Sequence, residues 1–314
     1  MSQARTQQIK EILKDLEALK KHGFENMYAL DENIKFFEAM RSPFKYIKWL
    51  VTEKSKIDGS RLLELSDFPL RHNRWEDILQ RELLEIEQWK FPDNLARFRK
   101  SMLGLLQHLK SDKRLVLINL GCGPMELERQ IVKNYLTNNN QQKIVFVGID
   151  MSDASLGLAE ENIKSISIPL EKVSLLNSTI LAELNSKHSN DQFYAVLFKG
   201  DAMKGDQYLK NGEIDILFYT KFRHHLTNSQ RTDFDKMALS SSDHIIEDDL
   251  LNNLFMFTVP LIGRSQWKHP VLLNGGMFSA LRCPTRKEVQ QLPPNWSIKI
   301  TPDGYTKVYD ACWK

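Results

Sequence analysis

Residues 115–135, LVLINLGCGPMELERQIVKNY, decide the fold class of this chain. A run dominated by Leu, Val and Ile leads into a Gly-Cys-Gly-Pro turn, and apolar residues then recur three or four positions apart. The first pattern predicts a buried strand and the second predicts a helix. A glycine turn at the end of a parallel strand lets the backbone pass close to a ligand. Taken alone, this turn is compatible with a nucleotide cradle, another cofactor site or a tight turn without a ligand.

From Arg114 onward, short apolar runs alternate with helix patterns; the runs are LVLINL, KIVFVGID, YAVLFKGD, IDILFYT and HIIEDD. This alternation predicts an α/β domain with a Rossmann-like, doubly wound, mostly parallel sheet. Residues 174–190 predict an extra helix before the third strand. Residues 296–314 predict a C-terminal antiparallel hairpin that turns at Pro302-Asp303-Gly304.

The first 110 residues differ from the rest because their apolar spacing is helical throughout. The helical patterns are IKEILKDLEALKKHG, FFEAMRSPFKYIKWLVTEK, RWEDILQRELLEIEQWK and DNLARFRKSMLGLLQHLK. We therefore predict two domains, a helical cap or substrate region at 1–110 and an α/β domain at 111–314. Aromatic residues at helical spacing in the first region are typical of a core rather than a substrate cage.

Composition excludes several classes of protein. The 314 residues are 42% hydrophobic with a dispersed net charge of +3, so there is no clear nucleic-acid signal. The three cysteines, Cys122, Cys283 and Cys312, are too far apart to suggest a disulfide framework or a zinc cluster. The N-terminus lacks a signal-peptide core, and the longest apolar run, 254–262, is too short to span a bilayer. We expect a cytoplasmic protein, and the sequence predicts no oligomeric state.

A carboxylate follows the second predicted strand. Asp150, at the tip of KIVFVGID, is well placed to accept hydrogen bonds from both hydroxyls of a ribose, and the alternative is an N-cap for the next helix. A dinucleotide fingerprint would place a third glycine at Glu126, where a carboxylate would repel a pyrophosphate. The pattern therefore favours an adenosine-containing ligand without a pyrophosphate over NAD.

With these residues, the region from about 115 to 314 resembles the class I, seven-stranded S-adenosylmethionine-dependent methyltransferases. NLGCGP matches their first motif in Gly121 and Gly123, but Asn119 stands where an acidic residue is common. VGIDMSDASLGLAEENIKS is similar to the second motif, with Asp150 in the ribose-binding place. FKGDAMKGD resembles the third, in which Asp201 would reach the adenine amino group. IDILFYTKFRHHL resembles the fourth.

The resemblance implies S-adenosyl-L-methionine as the cofactor and a set of residues that bind it. These are Asn119, Gly121, Gly123, Asp150, Met151, Asp201, Ala202 and Tyr219. Methyl transfer from a sulfonium is an in-line displacement that holding the acceptor close can accelerate without a fixed catalytic residue. A base would help if the acceptor must lose a proton.

Candidate catalytic residues follow the fourth motif strand. His225 is the first candidate for the base, and the alternative is a capping or core histidine. Tyr219 is the second, and it would either line the acceptor pocket or pack under the cofactor. Glu247, Asp248 and Asp249 are read as solvated charges or helix caps. A metal site is disfavoured because FYTKFRHH supplies no matching acid.

Between the fifth strand and the hairpin, residues 274–276, Asn-Gly-Gly, predict a sharp turn. Trp267, His269 and Met277 would form either a lid or ordinary core. We also expect the helical region to close the acceptor pocket, with 67–78, DFPLRHNRWEDI, as the part that reaches it. Removing residues 1–110 should then abolish transfer.

The expected function is methyl transfer to an oxygen or nitrogen of an unidentified small-molecule acceptor. The alternatives are a protein or RNA methyltransferase and a non-catalytic regulatory protein that binds S-adenosylmethionine.

Overall fold

A computed structural model describes residues 3–53, 56–63, 68, 78, 81, 96–109, 112–137, 141–210, 212–252, 269–291, 295–301 and 304–311. By packing, the chain divides into two units. The first comprises Met1–Leu83 with Leu250–Glu288, and the second comprises Leu84–Asp249 with Val289–Lys314. In the described part of the chain, no helix combines the length and the apolar character that a bilayer crossing requires.

The second unit is built on an eight-stranded sheet. Its strands are β1 (Leu115–Leu120), β2 (Ile144–Asp150), β3 (Leu170–Val173), β4 (Phe193–Lys199), β5 (Ile216–Thr220), β6 (His244–Leu250), β7 (Trp296–Ile300) and β8 (Gly304–Asp310). Their order is β3-β4-β2-β1-β5-β6-β8-β7. Strands β1 to β6 pair in parallel, and β7 pairs with β8 antiparallel. The order reverses at β1, so β1 and its neighbours define a topological switch point at their carboxyl ends.

Helices cover both faces of this sheet. They are α4 (Ala96–His108), α5 (Glu126–Thr137), α6 (Asp153–Lys164), α7 (Ser178–Lys187), α8 (Gly205–Tyr208) and α9 (Asn228–Ser241). Apolar residues of α4, α5 and α6 pack with alternate strand residues such as Leu117 and Phe146. Residues of α7 and α9 pack on the opposite face with Ile118 and Val147. The predicted doubly wound, mostly parallel sheet with a C-terminal hairpin is confirmed.

The sheet has one strand more than the seven expected. The additional strand is β3, a short edge strand whose residues Leu170–Val173 pair in parallel with β4. Its sequence, LEKV, contains two charged residues, so it lacks the apolar run that marks the central strands. The predicted extra helix within 174–190 is present as α7.

The first unit is helical. It contains α1 (Gln3–Lys21), α2 (Met27–Met40), α3 (Pro43–Thr52), a 3₁₀ turn at Gly59–Arg61 and α10 (Pro270–Arg282); α11 (Arg286–Val289) lies at its boundary. The single helical run expected over 36–54 is two helices, because Pro43 lacks an N–H and begins a new helix at its first position. The Phe36 ring packs edge-on against Phe278 of α10, with ring centroids 5.3 Å apart.

The sharp turn expected at 274–276 is wrong, since these residues lie inside α10. Asn274 is fully buried and donates to Asn33 Oδ1 at 2.8 Å, which ties the middle of α10 to α2. Met277 is a buried core residue, and His269 caps α10 by accepting from Val271 N. Trp267 and all of 67–78 except Phe68 and Ile78 lie outside the described residues, as do Pro302, Asp303 and Cys312.

The packing units also differ from the predicted domains 1–110 and 111–314. Helix α4 belongs with the sheet because Phe98 and Met102 are part of the core of one sheet face. The segment 250–288 belongs to the same unit as the N-terminal helices, and its Phe278 packs against Phe36 of α2. Helical spacing in α4 gave no sign of which core the helix would join.

Candidate functional site

The glycine turn follows β1 at the switch point of the sheet. Gly121 and Gly123 have φ of 66° and 51°, a region that favours glycine. Gly121 N and Cys122 N both donate to Ile149 O of β2, at 2.9 and 3.0 Å. A Cβ at Gly121 would lie 2.4 Å from the Phe222 ring, whereas a Cβ at Gly123 would have no atom within 4 Å. The turn is therefore closed by Phe222 on one side and open at Gly123.

Asp150 ends β2 directly beside this turn. Its Oδ2 accepts from Gly123 N and its Oδ1 from Ser152 N, each at 2.9 Å. Burial raises the pKa of Asp150, while these backbone N–H groups and the charge of His225 act to lower it. The N-cap of α6 is Ser152, so Asp150 supports the helix start without being its cap. The carboxylate thus fastens β2 to the glycine turn at the edge where a ligand would sit.

The residues expected at the adenine end lie after β2 and β4. Asp201 caps the 3₁₀ turn Ala202–Lys204 by accepting from Met203 N at 2.9 Å, and Tyr208 Oη donates to Asp201 O at 3.1 Å. Ala202 is buried. Met151, immediately after Asp150, is 68% exposed. Since β2 and β4 are parallel neighbours, both groups lie at the same sheet edge.

Asn119, the penultimate residue of β1, has a partner that was not predicted from the sequence. Its Nδ2 donates to Glu128 Oε1 of α5 at 2.6 Å, and both side chains are buried. Burial raises the pKa of Glu128 to about 7, against the lowering effect of this hydrogen bond. The burial of Glu128 could have been predicted from the sequence, because Glu128 lies on the same helical stripe as the buried residues 131, 132 and 135 of α5.

The segment after β5 approaches the same edge. His225 ends a 3₁₀ turn, Arg223–His225, and is half-buried, and its charge acts on Asp150. The Asp249 carboxylate instead holds His224, accepting from its backbone N at 3.0 Å and lying 2.6 Å from its Nδ1. The two imidazole rings are 4.3 Å apart. His225, and not the buried His224, is therefore the histidine whose charge acts on Asp150.

Strained backbone also occurs at this edge. Met125, after the glycine turn, and Lys221, after β5, have φ of 53° and 50°. Residues other than glycine rarely adopt a positive φ, and those that do cluster at ligand sites. Lys221 N donates to Asp248 O at 2.7 Å, which holds the strained residue against β6.

Tyr219 lies in the core and not on an open surface. It is 1% exposed, its ring meets Phe234 edge-on at 4.9 Å, and its hydroxyl donates to Glu247 Oε2 at 3.3 Å. Burial raises the pKa of Tyr219 well above its usual value. Of the two expected positions, packing under the ligand cleft fits these contacts better than lining the acceptor pocket.

The reading of Glu247, Asp248 and Asp249 as solvated charges or helix caps is wrong. All three lie in β6 and are at most 2% exposed. Tyr219 and Tyr305 donate to Glu247, Arg97 and Thr306 donate to Asp248, and His224 meets Asp249. Strand β6 lies between β5 and β8 inside the sheet, so its side chains face packed layers and not solvent.

No protein-family model matches the chain, and no curated protein sequence matches it. Among solved structures, the plantazolicin methyltransferase BpumL in complex with SAH is similar at 13% identity and a TM-score of 0.47, over 84% of this chain and 97% of that one. The small RNA methyltransferase HEN1 is similar at 16% identity and a TM-score of 0.40, over 68% of this chain and 26% of that one. The bifunctional kinase-methyltransferase WbdD is similar at 14% identity and a TM-score of 0.36, over 79% and 45%. The chain thus spans about a quarter of the HEN1 chain.

Proposed function

We propose that the protein transfers a methyl group from S-adenosylmethionine to an oxygen or nitrogen atom of a small molecule. One observation carries the proposal: the Asp150 carboxylate clamps the Gly123 N–H at the carboxyl edge of β1 and β2, beside space that is open at Gly123. A carboxylate at the tip of the second strand is suited to ribose hydroxyls. The positive φ at both positions favours glycine, and because glycine has no side chain the same space stays clear.

The residues at this edge fit the ligand. The Asp150 carboxylate accepts from backbone N–H groups, and since its two oxygens offer about four acceptor sites, it retains capacity for a hydroxyl. Asp201 and Ala202 would meet the adenine, and the exposed Met151 would cover the sugar. Asn119 lies at the methionine end of the turn, where its Oδ1 is buried with no hydrogen-bond partner among the described residues.

The bound cofactor supplies a methyl group on a positively charged sulfur, ready for displacement. The task of the chain is to hold the acceptor in line and to exclude water. In this proposal the neutral form of His225 takes the acceptor proton where one must leave, because it is the half-buried imidazole that interacts with Asp150. Tyr219 supports β5 from below through Glu247 and takes no part in proton transfer.

Calorimetric titration of the full chain with S-adenosylmethionine, S-adenosylhomocysteine and NAD tests the cofactor assignment. Both sulfur ligands should bind and NAD should not. Asp150→Ala should weaken both by at least roughly tenfold, since a hydrogen bond to a charged group contributes about 1.5–3 kcal/mol. Asp153→Ala is the matched control, because Asp153 is a nearby carboxylate that is 76% exposed and paired with Lys199. Binding of NAD alone would overturn the assignment.

An acceptor screen with labelled cofactor tests the reaction. Label should pass to a small-molecule acceptor, and His225→Gln should slow transfer by roughly 100-fold or more while the cofactor affinity stays within a few-fold. Label on proteins or RNA would favour a macromolecular acceptor. Tight cofactor binding with no transfer to any acceptor would favour the regulatory alternative.

A further inference from the structure

The Asn119–Glu128 pair is unusual because two of its oxygens are unsatisfied. Asn119 Oδ1 and Glu128 Oε2 are both buried and have no hydrogen-bond partner among the described residues. Only the bond from Asn119 Nδ2 to Glu128 Oε1, at 2.6 Å, joins the two side chains. Leaving a buried acceptor without a donor costs about 1–3 kcal/mol, and more for a charged group.

Protonation of Glu128 would reduce the free-energy cost of these unsatisfied acceptors. A proton on Glu128 Oε2 turns one of the two unsatisfied acceptors into a donor and removes a buried charge. The charge has no nearby cation to offset it on its own helix, since Arg129 is engaged with Glu126 at 2.6 and 2.7 Å. The other charged or titratable groups that face this region are Cys122 on the turn, Asp150 on β2 and His225 beyond it.

The pair also lies close enough to act on the ligand cleft. Asn119 is two residues before Gly121, and Glu128 lies on the first turns of the helix that the glycine turn starts. Burial raises the pKa of the Cys122 thiol well above its usual value, and the carboxylates of Asp150 and Glu128 raise it further. Glu128 therefore exerts its electrostatic effect inside the turn, between the two glycines.

We propose that Glu128, acting through Asn119, supplies the negative charge at the methionine end of the cleft, and that its carboxyl group holds a proton in the free protein and releases it when the cationic cofactor binds. The proposal rests on the proposed function. The only bond that breaks is the O–H of Glu128, and the proton passes to the buffer. Glu128 is a positioning residue here, because it is fully buried and reaches the ligand only through Asn119 and its field.

Two consequences follow for binding. S-adenosylmethionine carries a sulfonium charge that S-adenosylhomocysteine lacks, so an ionised Glu128 favours the former. Because Glu128 must ionise, the affinity for S-adenosylmethionine should rise by up to tenfold per pH unit below about pH 7 and level off above it.

The test is calorimetry on the full chain at pH 6.5 in buffers of different ionisation enthalpy, which counts the protons released. Wild type should release roughly three-quarters of a proton on binding S-adenosylmethionine, the fraction protonated for a pKa of about 7. Glu128→Gln has the same shape but cannot ionise, so its release should fall by that amount. Its affinity for S-adenosylmethionine at pH 7.5 should fall on the order of tenfold, with less than a threefold change for S-adenosylhomocysteine.

Two further variants separate charge from structure. Glu126→Gln removes the neighbouring buried carboxylate, whose charge helps to raise the pKa of Glu128, so proton release should decrease without being abolished as it is in Glu128→Gln. The double variant Asn119→Asp with Glu128→Gln exchanges acid and amide, and it should recover the preference for S-adenosylmethionine if charge is what matters.

Each outcome is decisive. Equal proton release by wild type and Glu128→Gln would show a purely structural pair, as would wild type that binds both sulfur ligands without releasing a proton, even if Glu128→Gln did not fold. Wild type that binds neither sulfur ligand would overturn the proposed function together with this inference.

Discussion

The second unit contains two groups of buried carboxylates that differ in their partners. On β6, Asp248 receives Arg97 Nε at 3.0 Å together with the Thr306 hydroxyl, and Glu247 receives two tyrosine hydroxyls. On α5, Glu128 receives the Asn119 amide and its own backbone N–H, neither of them charged, and keeps one oxygen without a partner in the described part of the chain. Burial is equal in the two groups, so the number and charge of the donors separates a carboxylate that stabilises the fold from one that stays poised to change its charge.

The pKa values follow from the same difference. Burial raises the pKa of Asp248 to about 6, and the charge of Arg97 is the strongest opposing effect. Burial raises the pKa of Glu128 to about 7, where only hydrogen bonds oppose it and the charge of Glu126 adds to it. The Arg97 cation of α4 thus keeps the Asp248 carboxylate ionised at neutral pH, while Glu128 is divided between two states.

Removing the cation should have the largest effect. Arg97→Met leaves Asp248 buried without its charge partner, and such losses cost about 3–5 kcal/mol. Urea unfolding at pH 7.5 should show this decrease in the free energy of unfolding. Adding Asp248→Asn to Arg97→Met should recover part of it, because no buried charge then remains.

Arg99→Ala is the matched control. Arg99 lies on the same helix but is only partly buried and donates to Gln130, a neutral side chain, at 2.7 Å. Its loss should cost less than about 1 kcal/mol. Equal effects of Arg97→Met and Arg99→Ala would mean that α4, and not the ion pair, carries the stability.

Glu128→Gln should come next, with an effect that depends on pH. The folded-state pKa is raised from 4.5 to about 7, so the folded state holds a proton that the unfolded state releases. The contribution of Glu128 to stability is therefore fully present below about pH 4.5 and is lost as the pH rises through about 7. A shift of two and a half pKa units corresponds to about 3 kcal/mol of unfolding free energy. Wild type should lose this stabilisation as the pH rises, and the variant, which cannot titrate at this position, should not.

Unfolding of both proteins at pH 5 and pH 8 measures this difference. The variant should gain about 2–3 kcal/mol relative to wild type between the two pH values. A constant difference across this range would show that Glu128 does not titrate in the folded protein.

The two tyrosines on Glu247 should give smaller and unequal effects. Tyr305 makes the short bond to Oε1, and Tyr219 makes a longer one of 3.3 Å to Oε2. Tyr305→Phe should cost about 1.5–3 kcal/mol, the range for a hydrogen bond to a charged group, and Tyr219→Phe about 1 kcal/mol or less. Thermal or urea unfolding of the two single variants and the double variant checks the order. A larger loss for Tyr219→Phe would reverse the assigned strengths.

Sequence patterns predict what is local and fail where partners are distant. The run 115–120, the glycine turn and the helix after it are each specified within a few residues, so the strand, turn and helix were predicted correctly. Asp248 is paired with Arg97, which is 151 residues away, and no local pattern can reveal such a partner. The acidic residues of β6 were therefore predicted to be solvated, whereas the structure shows them buried within the sheet.

Periodicity also has a limit within one helix. Helix α5 places Glu128 on its apolar stripe, which a helical reading of 128, 131, 132 and 135 predicts. That reading does not say that Asn119 lies opposite, because the contact depends on how α5 packs on β1. Likewise, 274–276 suggested a turn from composition alone, whereas contacts of α10 with α2 hold a helix there.

The smallest effect is expected at Glu160, a partly exposed carboxylate whose pKa is lowered and not raised. Glu160 pairs with Lys164 and Lys172 at 2.7 and 2.5 Å, and their hydrogen bonds lower the pKa of Glu160 to about 2. A lowered folded-state pKa stabilises the protein above about pH 4.5, and this contribution is lost as the pH falls toward 2. Solvent screens the pair, so Glu160→Gln should cost less than about 1 kcal/mol at pH 7 and less still in 1 M salt. Unfolding at low and high salt measures this cost, and a salt-independent loss as large as that of Arg97→Met would show that exposure does not separate these carboxylates.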